Sequence, residues 1–196
     1  MVKYSPTPFS LTDKGMKAIV KVLKEQNIEN VLEFGSGKST DYLTDLGYNV
    51  VSLDDDSKYA SNQIGVKVVD LVTLTQTDFS GVLNGEIDYY EACKSLKPVT
   101  SRSSGQVNCF YKLDNLPISS KVSFVIVDGP NGNGRSIAFQ LIKEVINLPC
   151  YVFIDDYFHY PFVENFLNIF PNSEKIVEEK ESKIKGFVIF KINSIE

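Results

Sequence analysis

Cysteine is scarce in this chain. The three present, Cys93, Cys109 and Cys150, are odd in number, far apart and never in a CxxC arrangement, so neither a disulfide framework nor a zinc-binding knuckle is indicated. Buried free thiols are expected instead. Long apolar runs are missing too. None reaches the roughly 18 residues that a bilayer span needs, and the opening MVKYSPTPFS lacks the apolar stretch of a secretory signal. A cytoplasmic protein with no membrane span is the expectation. Nor is there an excess of positive charge: 20 Lys and Arg face 25 Asp and Glu, giving a net charge of -5 and a pI near 5.0. That balance argues against nucleic acid as a partner, although a local basic patch is compatible with it. Repeats and low-complexity tracts are absent, and histidine occurs once, at His159.

What is present fits a globular protein, with 196 residues of which 43% are hydrophobic and 23% charged. That length suits one domain, or one domain with an elaborate insertion. Met16, Ile19, Val22 and Leu23 recur at helical spacing and predict a helix over Thr12 to Gln26, with its start near Leu11 and Thr12. Short runs rich in Val, Ile and Phe follow: Asn30–Phe34, Asn49–Leu53, Val66–Val69, Val122–Val127 and Tyr151–Ile154. They are too apolar to be half exposed and read as buried parallel strands. Helical patterns over Ser39–Leu46 and Arg135–Ile146 separate some of them, which predicts an alternating α/β, Rossmann-like, doubly wound sheet. At the C-terminus Lys175–Val177 and Gly186–Ile192, joined by the charged EEKESKIK, have the pattern of an antiparallel hairpin, so seven strands are expected. The polar, aromatic-containing stretch from Leu71 to Lys121, with weak strand signals around Val107–Leu113, is expected to be an insertion over one edge of the sheet that shapes an acceptor site.

Each of the five parallel-type runs meets a carboxylate at or just after its C-terminal end: Glu33, Asp54, Asp70, Asp128 and Asp155. Ligands of open α/β sheets sit outside those strand ends, where the strand order reverses. Five acids on one rim therefore suggest a site, although any single acid could equally be a helix cap. The stretch VLEFGSGKST, Val31 to Thr40, tests which ligand. A triphosphatase loop, G-x-x-x-x-G-K-[ST], would need glycine where Leu32 stands, so that reading fails. The dinucleotide fingerprint G-x-G-x-x-G fits Gly35 and Gly37 but meets Thr40 at its third glycine, which weakens a nicotinamide-cofactor reading without removing it. What remains is an acid-x-G-x-G turn with a second acid, Asp54, about 20 residues on, a spacing that suits the ribose of a nucleoside.

At these residues the sequence resembles the class I methyltransferases that use S-adenosylmethionine. VLEFGSG is similar to their first motif, VVSLD to their ribose-binding strand, FVIVDGP to their fourth motif, and the C-terminal pair to their antiparallel last strands. The resemblance implies that Glu33 helps hold the methionine amino end and that Gly35, Ser36 and Gly37 pass under the cofactor, with Ser39 beside them. It implies further that Asp54 binds the ribose, that Asp70 lies near adenine and that Asp128 borders the cofactor. VDGPNGNGRS and FIDDYFHYP resemble segments of metal-dependent sugar and polysaccharide O-methyltransferases. There the likeness makes Asp128, Asp155 and Asp156 ligands of Mg²⁺ or Mn²⁺, and implies transfer to a hydroxyl of a sugar or glycan.

The physical case stands beside the likeness. Three ionised carboxylates within about 4 Å of one another repel by about 4 kcal/mol per pair at an effective dielectric near 20, so they need a cation or must keep a proton. Oxygen ligands favour Mg²⁺, Mn²⁺ or Ca²⁺ over zinc, and an ion there would lower the pKa of a bound hydroxyl. Alternatively, successive strand residues such as Asp155 and Asp156 face opposite ways. His159 is a candidate base together with Asp128, although an aromatic run surrounds it. Arg135 could bind an acidic substrate or brace its own helix. A non-catalytic Rossmann-like module that binds a nucleoside or a partner, and an NAD-dependent enzyme, are the alternatives. The sequence does not point to an oligomeric state.

Overall fold

In the computed structural model, which describes residues 3–7, 10–99 and 107–195, the first element is the helix α1 (Asp13–Glu25). Thr12 caps it by accepting a hydrogen bond from Gly15 N at 3.0 Å, satisfying one of the donors that a helix start leaves open. Met16, Ile19, Val22 and Leu23 form its buried stripe, as their spacing predicts. Then come β1 (Asn30–Phe34), α2 (Lys38–Asp45), β2 (Asn49–Asp54) and β3 (Val66–Val68). The middle of the chain holds β4 (Leu71–Thr73), α3 (Gln76–Leu83), α4 (Tyr89–Lys94) and β5 (Cys109–Tyr111). After β6 (Val122–Val127) a 3₁₀ turn at Asn133–Ser136 leads into α5 (Ile137–Leu141) and a second 3₁₀ turn at Ile142–Glu144. The chain ends with β7 (Ile146–Asp155), α6 (Phe162–Ile169), β8 (Glu174–Lys180) and β9 (Gly186–Ile192).

Seven strands form one sheet in the order β3-β2-β1-β6-β7-β9-β8. The strands from β3 to β7 run parallel, and β9 is antiparallel to both β7 and β8. This is the Rossmann-like, mostly parallel α/β sheet with an antiparallel C-terminal pair that the sequence pattern predicts. From β1 the chain winds outward to β3 and then returns to the other side of β1 as β6. The order thus reverses between β1 and β6, where α/β sheets place their ligands.

Strand alternation divides the core in two. Val31, Val50, Phe124, Ile126, Phe153 and Ile189 face α1 and α2. Leu32, Phe34, Leu53, Val125, Val152 and Phe190 face the layer built by the middle of the chain with α5 and α6. The segment 71–121 therefore lies against a face of the sheet, and not over an edge as its composition suggests. Its strands pair antiparallel, Leu71 opposite Tyr111 and Thr73 opposite Cys109, and bring Phe110 and Tyr111, both 0% exposed, under Phe34. Residues 100–106 of that segment lie outside the described residues. The predicted single helix over Arg135–Ile146 is broken because the backbone at Gly134 passes so close to β5 that a Cβ would lie 1.9 Å from Cys109 O, and because Ile146 already pairs with Val122. All three cysteines are free and buried. Among the described residues no helix is long and apolar enough to cross a membrane.

Candidate functional site at the carboxyl ends of the strands

Alternation puts Glu33, Asp54 and Asp155 on the α1/α2 face, two residues on from Val31, from Ser52 and from Phe153 respectively. Asp128 follows Ile126 by the same step. Glu33 is fully buried, accepting from Ser39 Oγ and Thr40 Oγ1 at 2.5 Å each. Burial pushes its pKa up to about 7, against the lowering effect of those hydroxyls. Thr40, which breaks the dinucleotide fingerprint, is thus the residue that seals Glu33 against α2. It also accepts from Gly37 N at 3.0 Å.

The turn after β1 is held by its neighbours. Gly35 N donates to Leu53 O at 2.8 Å, and Phe34 O accepts from Asp128 N and Gly129 N at 2.9 and 2.7 Å. Gly35 has φ +98°, and a Cβ there would lie 2.7 Å from Gly129 N, so its glycine is required for the contact between the β1 and β6 loops. Gly37, by contrast, opens to space: an added Cβ would meet only Tyr59 O, at 3.9 Å. Asp54 accepts from Ser36 N at 2.9 Å and from Asp56 N at 2.8 Å. Its carboxylate therefore ties the glycine turn to the end of β2. Ser36 Oγ accepts from Ser61 N at 3.0 Å. Asp70 is exposed and lines a hollow of about 370 Å³ with Asp55, Val68, Val69, Lys112 and Asp114. A hollow of about 1040 Å³ lies elsewhere, between α1, Tyr42 and residues 3–6.

The second half of the rim is an acid cluster. Asp128 follows β6, Asp155 ends the neighbouring strand β7, and Asp155 is 2% exposed. Burial, and then the charges of Asp128 and Asp156, push the pKa of Asp155 well up; burial raises Asp128 as well. Asp156, at φ +49°, donates its N–H to Gly186 O at 2.7 Å, and this turn brings its carboxyl round to the same side as that of Asp155. Lys185 Nζ stands 3.7 Å from Asp155 Oδ2 and 3.5 Å from Asp156 Oδ2. His159 Nδ1 lies 4.0 Å from Asp156 Oδ2, so the lone histidine joins the cluster at its outer side. Tyr111 adds a neutral phenol, buried and without a hydrogen-bond partner, close enough to Gly129 that a Cβ there would meet it at 2.6 Å.

Two expected roles are corrected by this arrangement. Arg135 is 5% exposed and turned inward. Its Nε donates to Pro130 O at 3.2 Å, its Nη1 to Asp155 O at 3.1 Å, and its guanidinium lies 5.3 Å from the Phe162 ring. It braces the loops after β6 and β7 instead of facing a substrate. Asp128, Asp155 and Asp156 do not form an open set of metal ligands: the Lys185 ammonium stands beside the last two. Among the described residues no group of three or more His, Cys, Asp or Glu side chains is arranged to hold a metal ion. The Mg²⁺ or Mn²⁺ implied by the likeness therefore does not fit the residues as they stand. Lys185, Thr40 and Tyr111 are the rim residues that the motifs did not reveal.

No protein-family model matches the chain, and no protein of the curated set matches it in sequence. Solved structures do match its fold. An O-methyltransferase from Bacillus cereus in complex with S-adenosylhomocysteine superposes with a TM-score of 0.54 at 13% identity, over 95% of this chain and 84% of that one. The N-methyltransferase NodS from Bradyrhizobium japonicum, also with S-adenosylhomocysteine, gives 0.51 at 7% identity over 97% and 90%. The 16S rRNA N2 G1207 methyltransferase of T. thermophilus, with S-adenosylmethionine and guanosine, gives 0.51 at 13%, over 95% of this chain and 45% of that one. The chain thus has the fold of the S-adenosylmethionine-dependent methyltransferases, seen in neighbours that act on quite different acceptors.

Proposed function

We propose that this protein is an S-adenosylmethionine-dependent O-methyltransferase acting on a hydroxyl of a small molecule, a sugar or a glycan. The observation that carries the reading is that the Glu33-x-Gly35-x-Gly37 turn follows β1 at the reversal of the strand order and is tied through Ser36 N to Asp54 at the end of β2, while Asp128 follows β6 on the other side. S-adenosylmethionine, when bound, supplies a methyl group on a positively charged sulfur. Asp54 offers a carboxylate for ribose hydroxyls, Gly35 to Gly37 keep the turn low, and Ser39 with Thr40 fixes Glu33 beneath it. Asp70 borders the hollow in which a base would lie. At the acceptor side Asp128 orients a hydroxyl, and His159 takes up the hydroxyl proton on an imidazole nitrogen as the methyl bond forms. Alignment supplies most of the remaining rate, since methyl transfer asks for little else. The segment 71–121, through Tyr111, shapes the acceptor side.

A donor-depletion assay against glycans, catechols and small acids tests this reading. Conversion of one hydroxyl class is expected, and His159→Ala slows it about 10²-fold, the low end of what general base catalysis contributes. Lack of any conversion, with the donor bound, would favour a second reading: a non-catalytic nucleoside-binding module. One observation speaks for it, namely that Glu33, Asp54 and Asp155 already have partners within the protein.

A further inference from the structure

The acid cluster at the ends of β6 and β7 is balanced from within. Lys185 Nζ stands 3.7 Å from Asp155 Oδ2 and 3.5 Å from Asp156 Oδ2, and burial pushes Asp128 and Asp155 toward their protonated forms. This lysine is placed by its backbone and does not merely reach in from the surface. The turn between β8 and β9 closes on it, Glu181 N and Ser182 N donating to Lys185 O at 3.0 Å, while Lys185 N donates to Ser182 Oγ at 3.0 Å. The next residue, Gly186, accepts the N–H of Asp156 through its carbonyl, so the turn and the acid loop are tied together. A Cβ on Gly186 would lie 2.7 Å from Glu179 O, which keeps this junction tight. Asp155 Oδ2 is buried, has no hydrogen-bond partner and faces the ammonium at 3.7 Å. The other charged groups around the cluster do not take its place: Arg135 acts on the charge of Asp128 but its donors are engaged with backbone carbonyls, and His159 approaches only Asp156, at 4.0 Å.

We propose that Lys185 is the resident cation of this rim, its ammonium standing where a divalent ion would otherwise gather the three acids, so that the site works without a metal. An ammonium has three N–H donors. With two carboxylates beside it at 3.5 and 3.7 Å, it has donor capacity for an acceptor oxygen as well; this last step rests on the methyl-transfer reading, whereas the charge balance does not. Without the ammonium the cluster must take up a further proton or a divalent cation with oxygen ligands.

Manganese titration followed by the resonance of free Mn²⁺, together with thermal melting, tests this on the whole protein. Wild type and Lys185→Arg are expected to leave the free Mn²⁺ signal unchanged and to melt alike with or without it. Lys185→Met is expected to melt lower than wild type and to recover when Mn²⁺ is added. Sequestration of Mn²⁺ by wild type that is lost in Asp155→Asn would overturn the proposal. So would a Lys185→Met protein that melts like wild type and ignores Mn²⁺. Should Lys185→Met not fold, the comparison of wild type with Asp155→Asn still decides. None of these readouts involves a methyl donor, so they stand apart from failure of the methyltransferase reading.

Discussion

At the scale of single residues the rim is governed by burial of acids. Glu33 keeps a raised pKa, near 7 against an ordinary 4.5, so the folded state binds its proton more tightly than the unfolded chain does. The stability from this group is fully present below about pH 4.5 and is lost as pH rises through about 7. That interval is worth about 3 kcal/mol at 1.36 kcal/mol per pH unit. Glu33→Gln, which retains an acceptor for Ser39 and Thr40, should flatten the decline in urea midpoint between those pH values; an unchanged slope would contradict the assignment. Tyr111 offers a second test. Its buried hydroxyl lacks a partner, and a lone buried hydroxyl costs about 1–3 kcal/mol. Tyr111→Phe should therefore melt at the same temperature as wild type or higher, and a clear loss of stability would mean that the hydroxyl is bonded after all. The acids themselves were legible in the sequence because each closes an apolar run. Their internal partners were not. Thr40 reads as a defect in a glycine fingerprint, and Lys185 as one charge among many in EEKESKIK, because neither periodicity nor spacing reports that Thr40 meets Glu33 or that Lys185 meets Asp155.

At the scale of elements, β1 and β9 lie where their apolar runs place them, and α1 differs from its expected span by a residue at each end. The middle of the chain was much less legible. In α3, QTDFSGVL, polar residues and Gly81 interrupt the helical period, and α4 has only six residues, too few to show one. The strand β8 runs on through Glu178, Glu179 and Lys180 into what reads as a charged connector. It is an edge strand whose exposed side takes charge without cost, leaving only residues 181–185 for the turn that presents Lys185. α6 was hidden behind the aromatic stretch that ends at Pro161. Gly134 provides the test at this level, since its backbone lies against β5 and a side chain there would overlap the Cys109 carbonyl. Gly134→Ala should destabilise by about 2–4 kcal/mol, in the range of severe backbone or packing conflicts, read as a lowered denaturant midpoint with unchanged m-value. A neutral outcome would mean that the junction between β5 and the loop after β6 is looser than described.

At the scale of the whole molecule, a mostly parallel sheet brings acids scattered between positions 33 and 156 to the carboxyl ends of its strands, where the strand order reverses between β1 and β6. The likeness to methyltransferases of three acceptor types at 7–13% identity is a likeness of this topology. The central claim is that the lip between Gly35 and Asp54 holds S-adenosylmethionine. Calorimetric titration of the wild-type protein and Asp54→Asn with S-adenosylmethionine, S-adenosylhomocysteine and NAD tests it most directly. One-to-one binding of the first two, weakened at least tenfold by Asp54→Asn and not seen with NAD, is the expected result; binding of NAD alone, or of none of the three, would contradict it.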